Sequence, residues 1–149
     1  MGKKTFQNKL LKYKVFGLDT SCFIYHFEEH PRYSSLTKEL FLLLKKKKGV
    51  VSCLAFSELL AKKEIFADSK KRALYKTAFQ TLPNTKICDF DLELAEYAAG
   101  FKILYNLRLP DAIHLATAVV NGADVFITND ERFKKVKEIV TIVLGDYLT

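Results

Sequence analysis

Five short apolar runs, VFGLD, the opening of GVVSCLAF, TKICDF, ADVFIT and IVTIVLG, punctuate the chain, and longer stretches with apolar residues at helical spacing separate them. The run ADVFIT in particular shows none of the polar alternation of a strand with one wet face. Such strands must be covered on both sides, and helices that cross between strands impose parallel pairing. Strand and helix in alternation therefore predict an α/β fold, a three-layer α/β/α sandwich around a central, mostly parallel sheet. At 149 residues the chain suits a single domain over 1–149, large enough to bury roughly 70% of its unfolded surface without staples. Residues 1–14 then form a basic N-terminal extension.

The helical stretches carry their own boundaries. One helix is expected from about Ser21 to Phe27, with Thr20 or Ser21 as its cap. The segment 36–48, LTKELFLLLKKKK, reads as a second, closing in cations before Gly49. SELLAKKEIF, ALYKTAFQTL up to Pro83, and LELAEYAAGFKILYN follow as helices. DAIHLATAVVN starts after Pro110 and ends at Gly122, and a short helical KKVKE precedes the last strand.

Composition narrows the class of function. Apolar residues make up 49% of the chain and charged residues 28%, an ordinary globular balance. The uncharged stretches fall short of a bilayer span and the lysine-bearing N-terminus lacks the apolar core of a secretory signal, so a cytoplasmic location is expected. Cys22, Cys53 and Cys88 are odd in number, widely spaced and set in apolar runs, which fits reduced core thiols better than disulfides or a zinc site. The net charge of +7 is unevenly placed: five lysines and no acid in residues 1–14, four consecutive lysines at 45–48, and Lys70, Lys71 and Arg72. A surface of this kind attracts phosphate backbones or acidic partners.

In open parallel sheets ligands bind beyond the carboxyl ends of the strands, where the winding direction reverses, so acids just past strands carry the most information. Four qualify. Asp19 ends VFGLD, Glu58 sits in the first turns of the helix leaving GVVS, Asp111 opens the helix after Pro110, and Asp130 follows ADVFITN with Glu131 beside it. Each has an ordinary structural explanation as a cap, a surface ion pair or a turn residue. Together they would crowd one sheet edge with carboxylates that cannot all ionise uncompensated. With no lysine or arginine read at these strand ends, the compensation expected is a divalent metal, Mg²⁺ or Mn²⁺ given all-oxygen ligands. Such ions support phosphodiester cleavage. Glu131 reads as a solvated turn residue and His114 as a packed helix histidine.

LDTSCFIY, FSELLAKK and above all LPDAIHLATAVVNGADVFITNDERF resemble the PIN (PilT N-terminal) domain nucleases, especially the VapC-type toxins of toxin–antitoxin pairs. By that resemblance Asp19, Glu58, Asp111 and Asp130 correspond to the acidic catalytic and metal site, with Glu58 acting directly or through water. Ser21 and Thr128 correspond to supporting hydroxyls and Asn129 to the polar residue beside them. The resemblance implies Mg²⁺- or Mn²⁺-dependent endonucleolytic cleavage of RNA, homodimers, and inhibition by a small antitoxin whose tail enters the site. A stand-alone RNA-processing nuclease and a non-catalytic RNA-binding or assembly module are the alternatives. Phosphoacceptor receiver domains and haloacid-dehalogenase-like phosphatases need a second acid at the first strand, which LDTSC lacks.

Overall fold

The computed structural model describes residues 2–149. Five strands form one sheet: β1 (Val15–Leu18), β2 (Lys48–Ser52), β3 (Thr85–Cys88), β4 (Val125–Thr128) and β5 (Val140–Val143), in the order β3-β2-β1-β4-β5. Every pairing is parallel, with Gly17 opposite Val50 on one side and Phe126 on the other. Eight α-helices occur among the described residues: α1 (Gly2–Leu10), α2 (Thr20–Phe27), α3 (Ser34–Leu43), α4 (Leu54–Leu60), α5 (Lys63–Phe66), α6 (Ser69–Gln80), α7 (Leu92–Tyr105) and α8 (Leu109–Val120). None is long and apolar enough to cross a membrane.

The strands are buried on both faces, as their composition demanded. Phe16, Leu18, Val51, Val125, Ile127 and Ile142 share one core with α1, α2 and α3, whereas Phe126 belongs to a second core with α7, α8 and Phe133. Successive residues of β4 thus point to opposite layers, which is why VFIT must be apolar throughout. Gly17 sets the distance between β1 and α8. A Cβ there would stand 2.5 Å from that of Ala118, so only glycine lets the helix settle this close.

Several boundaries depart from the expectation. α3 stops at Leu43 and Gly49 does not close it. Gly49 lies inside β2, where a side chain would meet Thr85 Oγ1 at 2.7 Å. SELLAKKEIF breaks at Ala61 into α4 and α5, and KKVKE is not helical: a 3-10 turn spans Glu131–Lys135 and the chain then runs extended into β5. Residues 2–10 of the basic extension are helical. They form α1, whose Phe6 and Leu10 are buried against α3 and the C-terminal 3-10 turn Leu144–Tyr147. α2 starts at Thr20, and its cap is Asp19, whose side chain accepts from Thr20 N–H.

Candidate active site

The chain winds outward from β1 through β2 to β3, then returns to the other side of β1 with β4 and β5. Winding therefore reverses between β1 and β4, and the crevice beyond their carboxyl ends is the place where side chains from both halves meet. Asp19 enters from the end of β1, Asp130 from two residues past β4, Asp111 from the first turn of α8 and Glu58 from α4. All four line one cleft of about 270 Å³, with Ser21, Tyr25, Arg108 and Asn129 on its walls.

Asp19 and Asp111 are the deepest, 8% and 7% exposed. One carboxylate oxygen of Asp19 accepts from Thr20 N–H at 2.9 Å and the other from the Thr128 hydroxyl at 2.6 Å. Burial nevertheless dominates, aided by the neighbouring Asp111 charge, and lifts its carboxyl above the usual carboxylate range; the nearby His114 cation and these donors offset only part of that. Thr128 in turn accepts from Asp130 N–H at 3.1 Å, so a single hydroxyl ties the ends of β1 and β4 together.

Two polar networks flank Asp19. On the α4 side, Thr20 Oγ1 donates to Glu58 Oε1 at 2.8 Å and stands 3.0 Å from His114 Nε2, and His114 Nε2 bonds Glu58 directly. Burial opposes charge on both partners, but bonds from His114 and Thr20 hold Glu58 below the usual range. Glu58, Asp19 and Asp111 hold the His114 imidazole above its own. Each partner thus favours the charged form of the other. On the other side, Arg132 Nη2 bridges Asp130 at 2.5 Å and Asp111 at 3.2 Å, and Arg108 Nε reaches Asp111 at 3.0 Å. Arg132 also keeps the Asp130 carboxyl below its ordinary range by hydrogen bonding.

This arginine clamp corrects the reading that no cation stands at these strand ends. The 3-10 turn after β4 folds Arg132 N–H onto Asp130 Oδ1 at 2.9 Å, which brings the guanidinium back over the acid two residues earlier. Among the described residues no three Asp, Glu, His or Cys side chains approach closely enough to cage an ion in this arrangement. Glu131 does stand apart: its side chain is 76% exposed and faces Lys134 at 3.7 Å. Asn129 braces the crevice, donating to Tyr25 Oη at 2.9 Å and accepting from Gly145 N–H at 2.9 Å. Ser21 lines the cleft, with its buried hydroxyl unpaired.

A family model for the PIN domain matches residues 17–139, from inside β1 to the edge of β5. The chain belongs to the PIN domain family. Among solved structures, this PIN domain is similar to VapBC2 from Rickettsia felis bound to a promoter DNA fragment. The TM-score is 0.67 at 20% identity, covering 87% of this chain and 98% of that one. A toxin–antitoxin complex from Klebsiella pneumoniae gives 0.62 at 24% identity, covering 86% and 96%. DNA-bound VapBC from Salmonella typhimurium gives 0.62 at 18% identity, covering 88% and 98%. No curated protein matches the chain in sequence. These likenesses establish the PIN-like sandwich. Helix α1 precedes the matched segment.

The PIN domain's acids suit a hard divalent ion. Every ligand-type side chain lining the cleft offers oxygen, Asp19 and Asp111 are both buried there, and the arginines paired with Asp111, Arg108 and Arg132, have solvent-exposed side chains. His114 is the packed helix histidine expected, 2% exposed on α8, but sequence reasoning missed its bond to Glu58, and it missed Thr20, Arg108 and Arg132 as site residues. His114 stands one helical turn after Asp111, which was a usable signal for a shared face, whereas its pairing with Glu58 spans 56 residues of sequence and left no local trace.

Proposed function

We propose that this PIN domain is a Mg²⁺- or Mn²⁺-dependent endoribonuclease and the toxin of a VapBC-type pair. The observation that carries the reading is the meeting of Asp19, Asp111, Asp130 and Glu58 from four separate elements in one cleft at the β1/β4 reversal. A fold needs no such crowding of acids, with Asp19 buried so that its carboxyl is raised and Asp111 paired to two arginines. Asp19, Asp111 and Asp130 would hold the metal, with Glu58 assisting directly or through water. The bound ion would supply water activation and stabilisation of the leaving oxygen. Thr20 and Thr128 fix the Asp19 carboxylate, and His114 fixes Glu58. Arg108 and Arg132, exposed at the mouth, are placed to meet the phosphates flanking the scissile bond.

The similar VapBC complexes support an antitoxin partner, and the same cleft, lined by acids, suits a basic antitoxin segment. Purified protein should cut RNA only with Mg²⁺ or Mn²⁺, and Asp19→Asn or Asp130→Asn should stay folded and inactive. Cleavage that persists in EDTA and in both variants would overturn the nuclease reading. Inducible expression should arrest growth, with rescue by a co-expressed neighbouring small protein. Normal growth would instead favour a stand-alone processing enzyme.

A further inference from the structure

Six lysines, Lys12, Lys14 and Lys45 to Lys48, form one surface at the amino ends of β1 and β2, the opposite end of the strands from the acidic cleft. Their two segments are locked side by side. Lys48 N–H donates to Lys14 O at 3.1 Å, Lys47 Nζ donates to Leu11 O at 3.1 Å, and Asn84 Nδ2 holds the Leu44 and Lys45 carbonyls at 2.8 and 3.2 Å. Five of the six are exposed, and among the described residues none is ion-paired. Asp124, at the start of β4, turns its carboxylate onto the Lys14 and Val15 backbone N–H groups instead. A crowded row of like charges held by backbone geometry, with no ion pair to a carboxylate among the described residues, is stabilised by a polyanion. At about 3.3 Å per residue, β1 sets Lys14 roughly 16 Å from Asp19, with the body of the sheet between the lysines and the cleft.

We propose that this lysine surface is a second RNA-binding site, which anchors a large folded RNA by its phosphate backbone while a single-stranded part of the same molecule enters the acidic cleft. The inference rests on the ribonuclease reading and adds to it a binding surface remote from the acidic cleft. An RNA is the polyanion to expect here because the same chain presents its cutting edge to one at the other end of β1. Phosphate contacts of this kind position the nucleic acid without reading its sequence.

The test uses the full chain carrying Lys12→Gln, Lys14→Gln, Lys45→Gln and Lys46→Gln, four lysines whose side chains make no bond in the structure. Binding is measured in an Asp19→Asn background, which needs no cleavage, with a hairpin RNA of about 16 base pairs and with a tetranucleotide. At about 0.1 M salt the hairpin should bind at least tenfold more weakly, and its salt dependence should flatten by two to three of the roughly 0.7 to 0.9 contributed per lost phosphate contact. Tetranucleotide binding should be unchanged, and the matching Lys→Arg quartet should restore the hairpin. An unchanged hairpin affinity and salt slope would overturn the proposal, as would an equal loss on the tetranucleotide. So would equally lysine-dependent binding of duplex DNA or anionic vesicles. Absence of cleavage by the unsubstituted protein would count against the ribonuclease reading alone.

Discussion

Replacing Asp19 by Asn should make the metal-free protein more stable while removing its activity. Asp19 lies 8% exposed beneath α2, and burial holds its carboxyl above the usual range in spite of the Thr20 and Thr128 bonds. A raised folded-state pKa means the folded protein keeps that proton to higher pH than the unfolded chain does. The stability Asp19 contributes is therefore largest in acid and is lost as pH rises through the usual carboxylate value to the raised one. Asn mimics the protonated form: its oxygen can still accept from Thr20 N–H, and its amide can donate to Thr128 Oγ1. Two charge-assisted bonds become neutral ones, a loss of about 1 to 2 kcal/mol, against a burial penalty of several kcal/mol for the ion. A net gain of about 1 kcal/mol at neutral pH corresponds to roughly 2 to 4 °C in Tm for a domain of this size. Differential scanning calorimetry in EDTA should show that gain at pH 7.5 and its disappearance near pH 4. A lower Tm for the variant at pH 7.5, or the same gain at both pH values, would refute the reasoning.

Arg132→Ala should tighten Mn²⁺ binding threefold to tenfold by calorimetric titration, because the guanidinium bridging Asp111 and Asp130 competes for those oxygens. It should lower metal-free stability by less than about 1 kcal/mol, given a side chain 46% exposed. His114 is held above its ordinary range by Glu58, Asp19 and Asp111, so its contribution is complete below about pH 6.5 and is lost as pH rises through the folded value. His114→Gln should accordingly flatten the decline of Tm above pH 6.5. Gly17→Ala forces a Cβ to within 2.5 Å of Ala118, so it should destabilise by about 1 to 3 kcal/mol in chemical denaturation and displace α8 with Asp111.

The sheet was legible because its strands had no choice of environment. VFIT of β4 faces Ile142 and Leu18 territory on one side and α8 on the other, and that double burial is written directly in its composition. Asp19, Asp111 and Asp130 were legible for a related reason: each ends or begins an apolar element, where a carboxylate stands out. Gly49 misled because a glycine after a lysine run looks like a helix terminus, whereas close approach of Thr85 is a contact from another strand. α1 was hidden by its lysines, since only Phe6 and Leu10 anchor it. Arg132 was invisible as a site residue because its role comes from the 3-10 turn that folds it back over Asp130, a matter of backbone direction and not of residue pattern.

The central claim is that the β1/β4 crevice is a divalent-metal nuclease centre. Crystals of the unsubstituted protein grown with Mn²⁺, measured for anomalous scattering at the manganese edge, test it directly. The account predicts a peak within about 2.5 Å of Asp19 and Asp111 oxygens, with Arg132 swung away from Asp111. An empty cleft at saturating Mn²⁺, with Arg132 still joining Asp111 to Asp130, would contradict it.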